Sequence, residues 1–380
     1  NIDRFFYLIF LISIFIGNFI LKLFGVILPI FAFKNRKGVV FFPYAFKGSD
    51  GEYRRILQYL PYFEKDKIPY KVKSITSDSK ALEYYNGVRW KFYFFLIYVY
   101  YKRIFQILSV LKYEAVFIQR GLFPMYFDLQ FPQLEATVFK LNKNVVIDYW
   151  DSVFENQPEL TKNTVKFAKT ITVSNQFLLD NFKKICTNLT QWNLSIVTSS
   201  YKEKTDFSLH SPIRLIWTGM PHNLANLKYI YPTLIKVNEK YPLVLVIVGK
   251  EAPTVEGLNI EHHFWNANTF HSLLQNADIG IYPEKNTVHA NGKSAMKVMD
   301  FLSTGLSMIG VPYGIPKEVS HLNQLFIADN DVDWENGLIT LIENEQLRKS
   351  LGNEARKTII KHYDVLSNYN QFKEILFGKN

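Results

Sequence analysis

Residues 291–305 read NGKSAMKVMDFLSTG and combine two cations and a carboxylate at helical spacing. Steps of four and three residues place Lys293, Lys297 and Asp300 on one face of a predicted helix. That helix would begin at Gly292. Cations near a helix N-terminus are unfavourable because the macrodipole is positive there, and like charges four residues apart repel. An anion bound at the start of the helix would relieve both costs.

A diphosphate fits this predicted anion site. Both lysines and the first-turn amides around Ser294 would point at it. Asp300 would follow about one turn further along, at a reasonable distance for a ribose diol. The alternative is a solvated helix face with an ion pair between Lys297 and Asp300, which leaves Lys293 unexplained.

Metal ligation is not indicated by the acidic and histidine motifs. Residues 329–334 read DNDVDW, but this stretch follows a late predicted strand and precedes the tail helices, so we expect a polar turn and helix cap. His262 and His263 are neighbours on a predicted strand and would point to opposite faces. Glu284 follows a predicted strand and either contacts the ligand or is an ordinary loop carboxylate.

Three arginines are candidates for a second anion, such as an acceptor phosphate. Arg54 and Arg55 are predicted to open the first helix after the first strand, and Arg120 ends a later strand. A surface location is the alternative for each of them.

The net charge of +10 is concentrated in residues 1–110, which hold seventeen Lys/Arg and seven Asp/Glu. Residues 89–108 read RWKFYFFLIYVYYKRIFQIL, a continuous apolar and aromatic run flanked by basic residues. This pattern favours a membrane interface over nucleic acid. A buried helix is the alternative. The single cysteine, Cys186, excludes an internal disulfide and favours a reducing compartment.

Residues 5–33 are almost entirely apolar and are followed by three basic residues within residues 34–37. A helix of this length would exceed the hydrocarbon core of about 30 Å. The positive-inside rule then places the bulk of the protein in the cytoplasm. We expect a membrane anchor, spanning or monotopic, in residues 1–37, at the cytoplasmic face of the inner (plasma) membrane.

Short apolar strands alternate with helical stretches through the rest of the chain. The predicted strands of the first series are GVVFFPYAF, YKVKSI, EAVFIQR, NVVIDYW and TITVSN, and those of the second are LIWTGM, LVLVIVGK, LNIEHHF, DIGIYPE, LSMIGVPYG and LFIADN. A polar stretch at residues 199–212 separates the two series, and the tail from residue 336 is predicted as two helices. This alternation predicts two parallel α/β units, each binding ligands at the carboxyl ends of its strands. We place the two domains at residues 38–205 and 206–360, with a C-terminal helix at 361–380 that returns to the first domain.

The stretch GKSAMKVMDFLSTGLSMIG resembles the helix and following strand of family 4 glycosyltransferases with the GT-B fold. Further segments resemble bacterial members acting in surface-polysaccharide assembly, and they occur in the expected order. They are GSDGEYRRILQYLPYFEKDKI, VFIQRGLFP, VVIDYWDSV, AKTITVSNQFL, LIWTGMPHNLANLKYI, LLQNADIGIYPE and NEQLRKSLGNEARKTIIKHYDV. The resemblance covers residues 38–380.

The resemblance implies two Rossmann-like domains facing a cleft and a retaining transferase that uses a nucleotide diphosphate sugar. Asp300 takes the place of the ribose-binding glutamate, and the partner glutamate eight residues earlier is Gly292. Gly219 would let a loop backbone approach the diphosphate. The donor-binding set implied is Gly219, Glu284, Gly292, Lys293, Ser294, Lys297 and Asp300.

The family's usual first-domain histidine is missing, since the first histidine is His210. Asp151 is therefore the candidate acceptor-side catalytic group, alongside Lys297 at the diphosphate. A loop carboxylate that caps a helix is the alternative for Asp151.

The sequence thus predicts a metal-independent, membrane-attached hexosyltransferase without a cofactor. It would act on a lipid-linked or other saccharide acceptor in envelope polysaccharide or glycan assembly. A non-catalytic GT-B subunit that partners another transferase is one alternative. A nucleotide-sugar epimerase is another.

Overall fold

A computed structural model describes residues 2–31, 33–44, 47–123, 132–294 and 296–378. The chain forms two compact units. The first comprises Asn1–Leu194 and Asn368–Asn380, and the second comprises Ser195–Ser367.

The first unit contains a six-stranded sheet within the described residues, in the order β2-β1-β3-β4-β5-β6, and every pairing is parallel. The strands are Val39–Phe42 (β1), Tyr70–Val72 (β2), Ala115–Gln119 (β3), Val145–Tyr149 (β4), Thr170–Val173 (β5) and Leu189–Gln191 (β6). The first five were predicted from apolar runs. The edge strand β6 was missed because it is short and only partly buried.

The second unit has the same kind of sheet in its described residues, in the order β12-β11-β10-β7-β8-β9, again parallel throughout. Its strands are Ile213–Thr218 (β7), Leu243–Val248 (β8), Asn259–His263 (β9), Ile279–Tyr282 (β10), Met308–Gly310 (β11) and Phe326–Ile327 (β12). All six were predicted. The central strands β8 and β10 are fully buried, as expected for parallel sheets covered by helices on both faces.

Helices connect the strands of both sheets. Those of the first unit are Ile2–Ile27 (α1), Asp50–Arg55 (α2), Leu60–Lys65 (α3), Asp78–Tyr85 (α4), Arg89–Ile107 (α5), Gln133–Leu141 (α6), Pro158–Thr164 (α7) and Gln176–Phe182 (α8). Those of the second are Leu224–Leu227 (α9), Tyr231–Lys240 (α10), Ala267–Gln275 (α11), Val288–Gly292 (α12), Met296–Thr304 (α13), Lys317–His321 (α14), Asp331–Glu343 (α15) and Glu345–Tyr363 (α16).

The final helix, Val365–Phe377 (α17), belongs to the first unit from residue 368 onward. Phe372 stacks on Trp192 there, with 4.2 Å between ring centroids. The tail was predicted as two helices starting at residue 336. The tail instead forms three helices, α15, α16 and α17, because Asn344 ends α15 and caps the start of α16.

Arg55 and Asp148 form the buried ion pair of the first unit. Both side chains are fully buried, and the guanidinium donates to both carboxylate oxygens, at 2.9 Å from Nε and 2.6 Å from Nη2. Arg55 also donates to the backbone oxygens of Trp192 and Asn193 and lies 3.8 Å from the Trp192 ring centroid. This arginine therefore joins α2, β4 and the segment after β6.

The expected acceptor role of Arg55 does not agree with this environment. The helix α2 begins at Asp50 with Ser49 as its N-cap, so Arg54 and Arg55 lie in its last turn and do not open it. The helix begins earlier than predicted because the Ser49 side chain accepts a hydrogen bond from the Glu52 backbone N–H and so caps it. With its donors engaged in the interior, Arg55 is a structural residue.

Removing one partner of this pair should be costly. Asp148→Asn leaves the Arg55 guanidinium buried without a counter-charge, and breaking such pairs costs about 3–5 kcal/mol. We expect the melting temperature of the first unit to fall by roughly 6 °C or more, measured by differential scanning calorimetry.

The matched control is Asp180→Asn, which removes the exposed ion pair with Lys183 in the same unit. Exposed pairs contribute about 0–1 kcal/mol, so this variant should melt close to wild type. Equal melting temperatures for the two variants would contradict the structural role of Arg55.

Candidate functional site

The strand order of the second unit reverses beside β7, which lies between β10 and β8. Ligands of doubly wound sheets bind at the carboxyl ends of the strands where such a reversal occurs. Gly219 directly follows β7, and Glu284 lies two residues beyond β10. Two of the predicted donor-binding residues therefore occupy the expected position.

Lys297, in the first turn of α13, reaches the same place. Its Nζ lies 4.8 Å from the ring centroid of the buried Trp217, the penultimate residue of β7. A Cβ on Gly219 would lie 2.5 Å from the Trp217 ring and 2.8 Å from Lys297 Nζ. Only glycine therefore fits at position 219, and its backbone lies directly beside the ammonium group.

The Lys297 ammonium is poorly solvated. Burial lowers its pKa to about 8, while the negative charge of Glu284 raises that pKa and the positive charge of Lys293 lowers it. A lysine with this pKa is still mostly charged at neutral pH. A half-buried cation at a helix start favours an anionic ligand, because a bound anion would replace the stabilisation that the ammonium group loses when it is removed from water.

Glu284 connects the second lysine to this group. Its carboxylate is buried, accepts a hydrogen bond from Asn226 Nδ2 at 2.6 Å, and lies 3.3 Å from Lys293 Nζ. Tyr313 donates to the Glu284 backbone oxygen at 2.7 Å. The carboxylate thus holds Lys293 at the carboxyl edge of the sheet.

The helix predicted to begin at Gly292 is in fact two helices. Gly292 is the last residue of α12, Lys293 is its C-cap, and α13 begins at Met296. Ser294 lies between them, and Ala295 lies outside the described residues. The prediction that Lys293 occupies the first turn of one continuous helix is therefore wrong, although both lysines still face Glu284.

Asp300 is buried on α13 and accepts a hydrogen bond from Tyr201 at 2.6 Å. Thr304, further along the same stripe, is fully buried. A solvated helix face, the alternative considered above, is therefore excluded. A carboxylate accepts several hydrogen bonds, so the bond from Tyr201 leaves a contact to a ribose chemically feasible.

The first unit has its own strand reversal, between β1 and β3. Arg120 follows β3 with a left-handed backbone (φ 59°), which is unusual for arginine and typical of functional sites. Its guanidinium lies 4.7 Å from the ring centroid of Trp150 and 5.1 Å from that of Tyr44, and it is paired with Asp151. The structure therefore brings together Arg120 and Asp151, which the sequence predicted separately as acceptor-side residues.

Asp151 Oδ1 and Trp150 Nε1 in this cluster are buried and have no hydrogen-bond partner among the residues that the structure describes. Buried polar atoms are rarely left unpaired in native proteins, so these two atoms are candidates for contact with a ligand. Arg54, the remaining acceptor-side candidate, instead lies partly buried in the last turn of α2 and pairs with Asp50 at 3.0 Å.

A cavity of about 60 Å³ opens next to Arg120. Glu135 and Thr161 contribute polar groups to its wall, and Ile14 and Asn18 of α1 line another side. Glu135 is buried and accepts from the backbone N–H of Leu122 at 2.6 Å, and burial raises its pKa. The site thus continues from the Arg120 cluster toward the N-terminal helix.

Sequence reasoning missed four supporting residues. Tyr201 falls in the stretch interpreted as a linker, and Asn226 lies in the short helix α9 that follows β7. Trp217 and Tyr44 were assigned only to strand ends. Their roles depend on contacts between segments that are distant in the sequence. Tyr201 and Asp300, for example, are 99 positions apart.

The acidic motif DNDVDW forms a helix cap as predicted. Asn330 is the N-cap of α15 and accepts from the Asp333 backbone N–H, while the Asp333 carboxylate accepts from the Asp329 N–H. Within the described parts of the chain, no group of three His, Cys, Asp or Glu side chains is arranged to share a metal ion.

Neither a protein-family model nor a curated protein matches the sequence. Solved structures do match over most of the chain. A glycosyltransferase from Rickettsia africae aligns with a TM-score of 0.61 and 12% identity, over 91% of this chain and 100% of that one.

The Anabaena protein HepE in complex with UDP aligns with a TM-score of 0.57 and 12% identity, over 89% of this chain and 98% of that one. An alpha-glucosyltransferase in complex with UDP-glucose and DNA containing an abasic site aligns with a TM-score of 0.56 and 13% identity. The alignment covers 90% of this chain and 100% of that one. With its two parallel six-stranded sheets, the chain has the GT-B fold of these glycosyltransferases.

Proposed function

We propose that this chain is a glycosyltransferase that moves a hexosyl group from a UDP-sugar to a saccharide acceptor. The observation that carries the proposal is the poorly solvated Lys297 at the strand reversal of the second unit, beside Gly219 and Glu284. UDP is proposed because similar structures were solved with UDP or UDP-glucose.

The donor's diphosphate would contact Lys297, Lys293 and the amide groups at the start of α13. These groups stabilise the negative charge that develops on the departing diphosphate, which is how preorganised donors accelerate group transfer. Asp300 would accept hydrogen bonds from the ribose hydroxyls. No step requires a metal ion, because two ammonium groups and a helix N-terminus supply the positive charge.

The acceptor would contact the Arg120 cluster of the first unit. The acceptor hydroxyl oxygen bonds to the anomeric carbon as the bond to the diphosphate breaks, and the electron pair of that bond leaves with the diphosphate. The hydroxyl proton passes to the Asp151 carboxylate. We propose that the acceptor attacks on the same face of the sugar that the diphosphate leaves, so that the anomeric configuration is retained, in line with the family 4 resemblance of residues 292–310.

A lipid-linked acceptor in envelope glycan assembly is the proposed substrate class, at the cytoplasmic face of a membrane. The apolar helix α1 and the basic, aromatic helix α5 support this location. DNA, which one similar structure contains, is not proposed here because the basic residues of the first unit are interleaved with apolar side chains.

A thermal-shift screen of nucleotides and nucleotide sugars in EDTA tests the proposal. A ligand at 100 times its Kd stabilises by about 2.7 kcal/mol, which is roughly 5–10 °C for a unit of this size. UDP or a UDP-sugar should produce this shift, and the purified protein should slowly hydrolyse the donor. Binding without turnover would favour the non-catalytic subunit, and a lack of nucleotide binding would refute the proposal.

Lys297→Met should weaken UDP binding by roughly 10- to 150-fold, since hydrogen bonds to charged groups contribute about 1.5–3 kcal/mol. The empty variant should melt no lower than wild type. The folded-state pKa of Lys297 is lowered, so its charged form is disfavoured by folding at neutral pH, and removing it relieves that cost.

Calorimetric titration with UDP and scanning calorimetry of the empty protein check both parts of the Lys297 prediction. The matched control is Lys240→Met, because Lys240 also lies over an aromatic ring, 4.8 Å from that of Tyr241, just before the amino end of β8. A Lys297 variant that melts several degrees lower and binds UDP normally would show a purely structural lysine.

UDP affinity should fall as pH rises through about 8, because the empty protein then loses the Lys297 proton. The terminal phosphate ionises near pH 6 and is already charged over this range. Titrations from pH 7 to 9.5 should therefore show the decline in wild type and a flat profile in Lys297→Met. The same decline in both proteins would assign the effect to another group.

Asp151→Asn should slow sugar transfer by at least about 100-fold, which is the lower end of general-base contributions. UDP affinity should not change, because Asp151 belongs to the first unit. Initial rates at saturating donor measure the effect, and Asp180→Asn serves again as the carboxylate control. Transfer within about threefold of wild type would remove Asp151 from the mechanism.

A further inference from the structure

Helix α1 packs against the first unit along nearly its whole length. Phe6 contacts Trp90 and Phe94 of α5, with ring centroids 5.7 and 5.6 Å apart, and a Cβ on Gly25 would lie 2.9 Å from the Lys140 side chain. These contacts are nineteen residues apart, which corresponds to about 28 Å of helix.

Side chains of α1 between these two ends also pack against the first unit. Phe10, Ile14 and Leu21 are buried in the hydrophobic core of the unit. A Cβ on Gly17 would lie 2.6 Å from Tyr100, so the two helices are in close contact there.

Hydrogen bonds reinforce this packing. Tyr101 donates to the Ser13 backbone oxygen at 3.0 Å, Tyr100 donates to Asn18, and Thr137 of α6 donates to the Leu21 backbone oxygen at 3.3 Å. A helix spanning a hydrocarbon core of about 30 Å would have to leave these partners, or else draw α5, α6 and the buried charges Arg103 and Glu135 into lipid.

The opposite face of α1 is apolar and exposed. Phe15 is 76% exposed and Phe19 is 60% exposed. Other large apolar side chains continue this face, namely Phe5, Leu8, Leu11, Ile12, Ile16, Leu23, Val26, Ile27, Ile30 and Phe31. Helix α5 runs parallel beside it and exposes Trp90, Phe94, Tyr98 and Phe105, and Leu108 directly after the helix is also exposed.

The charge around this surface identifies its partner. Residues 1–37 and 89–112 together contain ten Lys/Arg and one acidic residue, Asp3. Arg4, Lys22, Lys34 and Lys91 are exposed. A second copy of the chain would bring like charges together, which disfavours a dimer through this face. Anionic lipid headgroups match the positive rim, and acyl chains match the apolar face.

We propose that α1 and α5 form a monotopic membrane surface, with α1 lying lengthwise in the interface of an anionic bilayer and not crossing it. The inference deepens the proposed membrane location but does not depend on the transferase activity. It also places the cavity beside Ile14 and Asn18 next to the lipid.

Flotation of the full chain with liposomes tests the surface. Binding should be stronger to vesicles with 30% phosphatidylglycerol than to pure phosphatidylcholine, and it should weaken in high salt. Phe15→Glu should reduce partitioning about tenfold or more without lowering the melting temperature. The control is Phe264→Glu, at a residue of the second unit that is 73% exposed, and it should bind like wild type. Equal binding by both variants, or a stable dimer without flotation, would overturn the proposal.

Labelling with a membrane-impermeant maleimide distinguishes a helix α1 that lies in the membrane interface from one that crosses the bilayer. In a Cys186→Ser background, Asp3→Cys and Lys34→Cys should both react from the outside of preformed vesicles. A helix that spans the bilayer would protect one of the two cysteines, and that result would overturn the monotopic arrangement. UDP binding is read independently in the same samples, so a failed membrane test does not count against the proposed activity.

Discussion

Parallel strands end at a common edge, and in both units the strand order reverses beside the first strand. This constraint decides where chemistry can occur, because the loops at a reversal diverge to opposite faces and leave their backbone groups open to a ligand. In the second unit the reversal brings together Gly219, Glu284 and Lys297. In the first it brings together Tyr44 and Arg120, with Asp151 following the neighbouring strand β4.

The surroundings of two buried cations, Arg55 in the first unit and Lys297 in the second, distinguish a structural residue from a candidate ligand-binding residue. Arg55 is fully buried, and four of its five N–H donors meet the Asp148 carboxylate and two backbone oxygens, so the side chain serves the interior of the unit. Lys297 lies over an indole ring, and its pKa is lowered chiefly by burial and further by the nearby ammonium group of Lys293. A folded protein gains no stability from that arrangement, whereas a bound anion would, which is why we assign the donor site to Lys297.

Much of the fold could be predicted because central parallel strands such as β8 and β10 are short, buried apolar runs with clear limits. The predicted strand β9 is only partly buried, because it lies at the edge of the sheet. Helix boundaries were less predictable. The break between Gly292 and Met296 leaves no sequence signal stronger than one glycine. The Asn344 cap competes with apolar periodicity that continues across it, whereas Ser49 caps a helix whose first three residues carry no apolar side chain. Of the site, the lysines and Asp300 were visible as a local pattern. Tyr201, Trp217 and Asn226 were not, since they approach the site only through tertiary structure.

Helix α1 shows why hydropathy alone could not distinguish between a membrane-spanning helix and a core helix. Its apolar residues serve two surfaces at once: Phe10, Ile14 and Leu21 complete the core, while Phe15 and Phe19 face outward. A spanning helix would need no partner as polar as Tyr100 or Thr137 along its length, and a core helix would not expose phenylalanines over several turns. Both features occur together where a folded unit presents an apolar surface to a partner, which we propose is lipid. On this proposal the same helix supports the first unit and contacts the membrane, so removing it would damage the fold as well as the attachment. Substitutions on its outer face are consequently the informative way to separate its two roles.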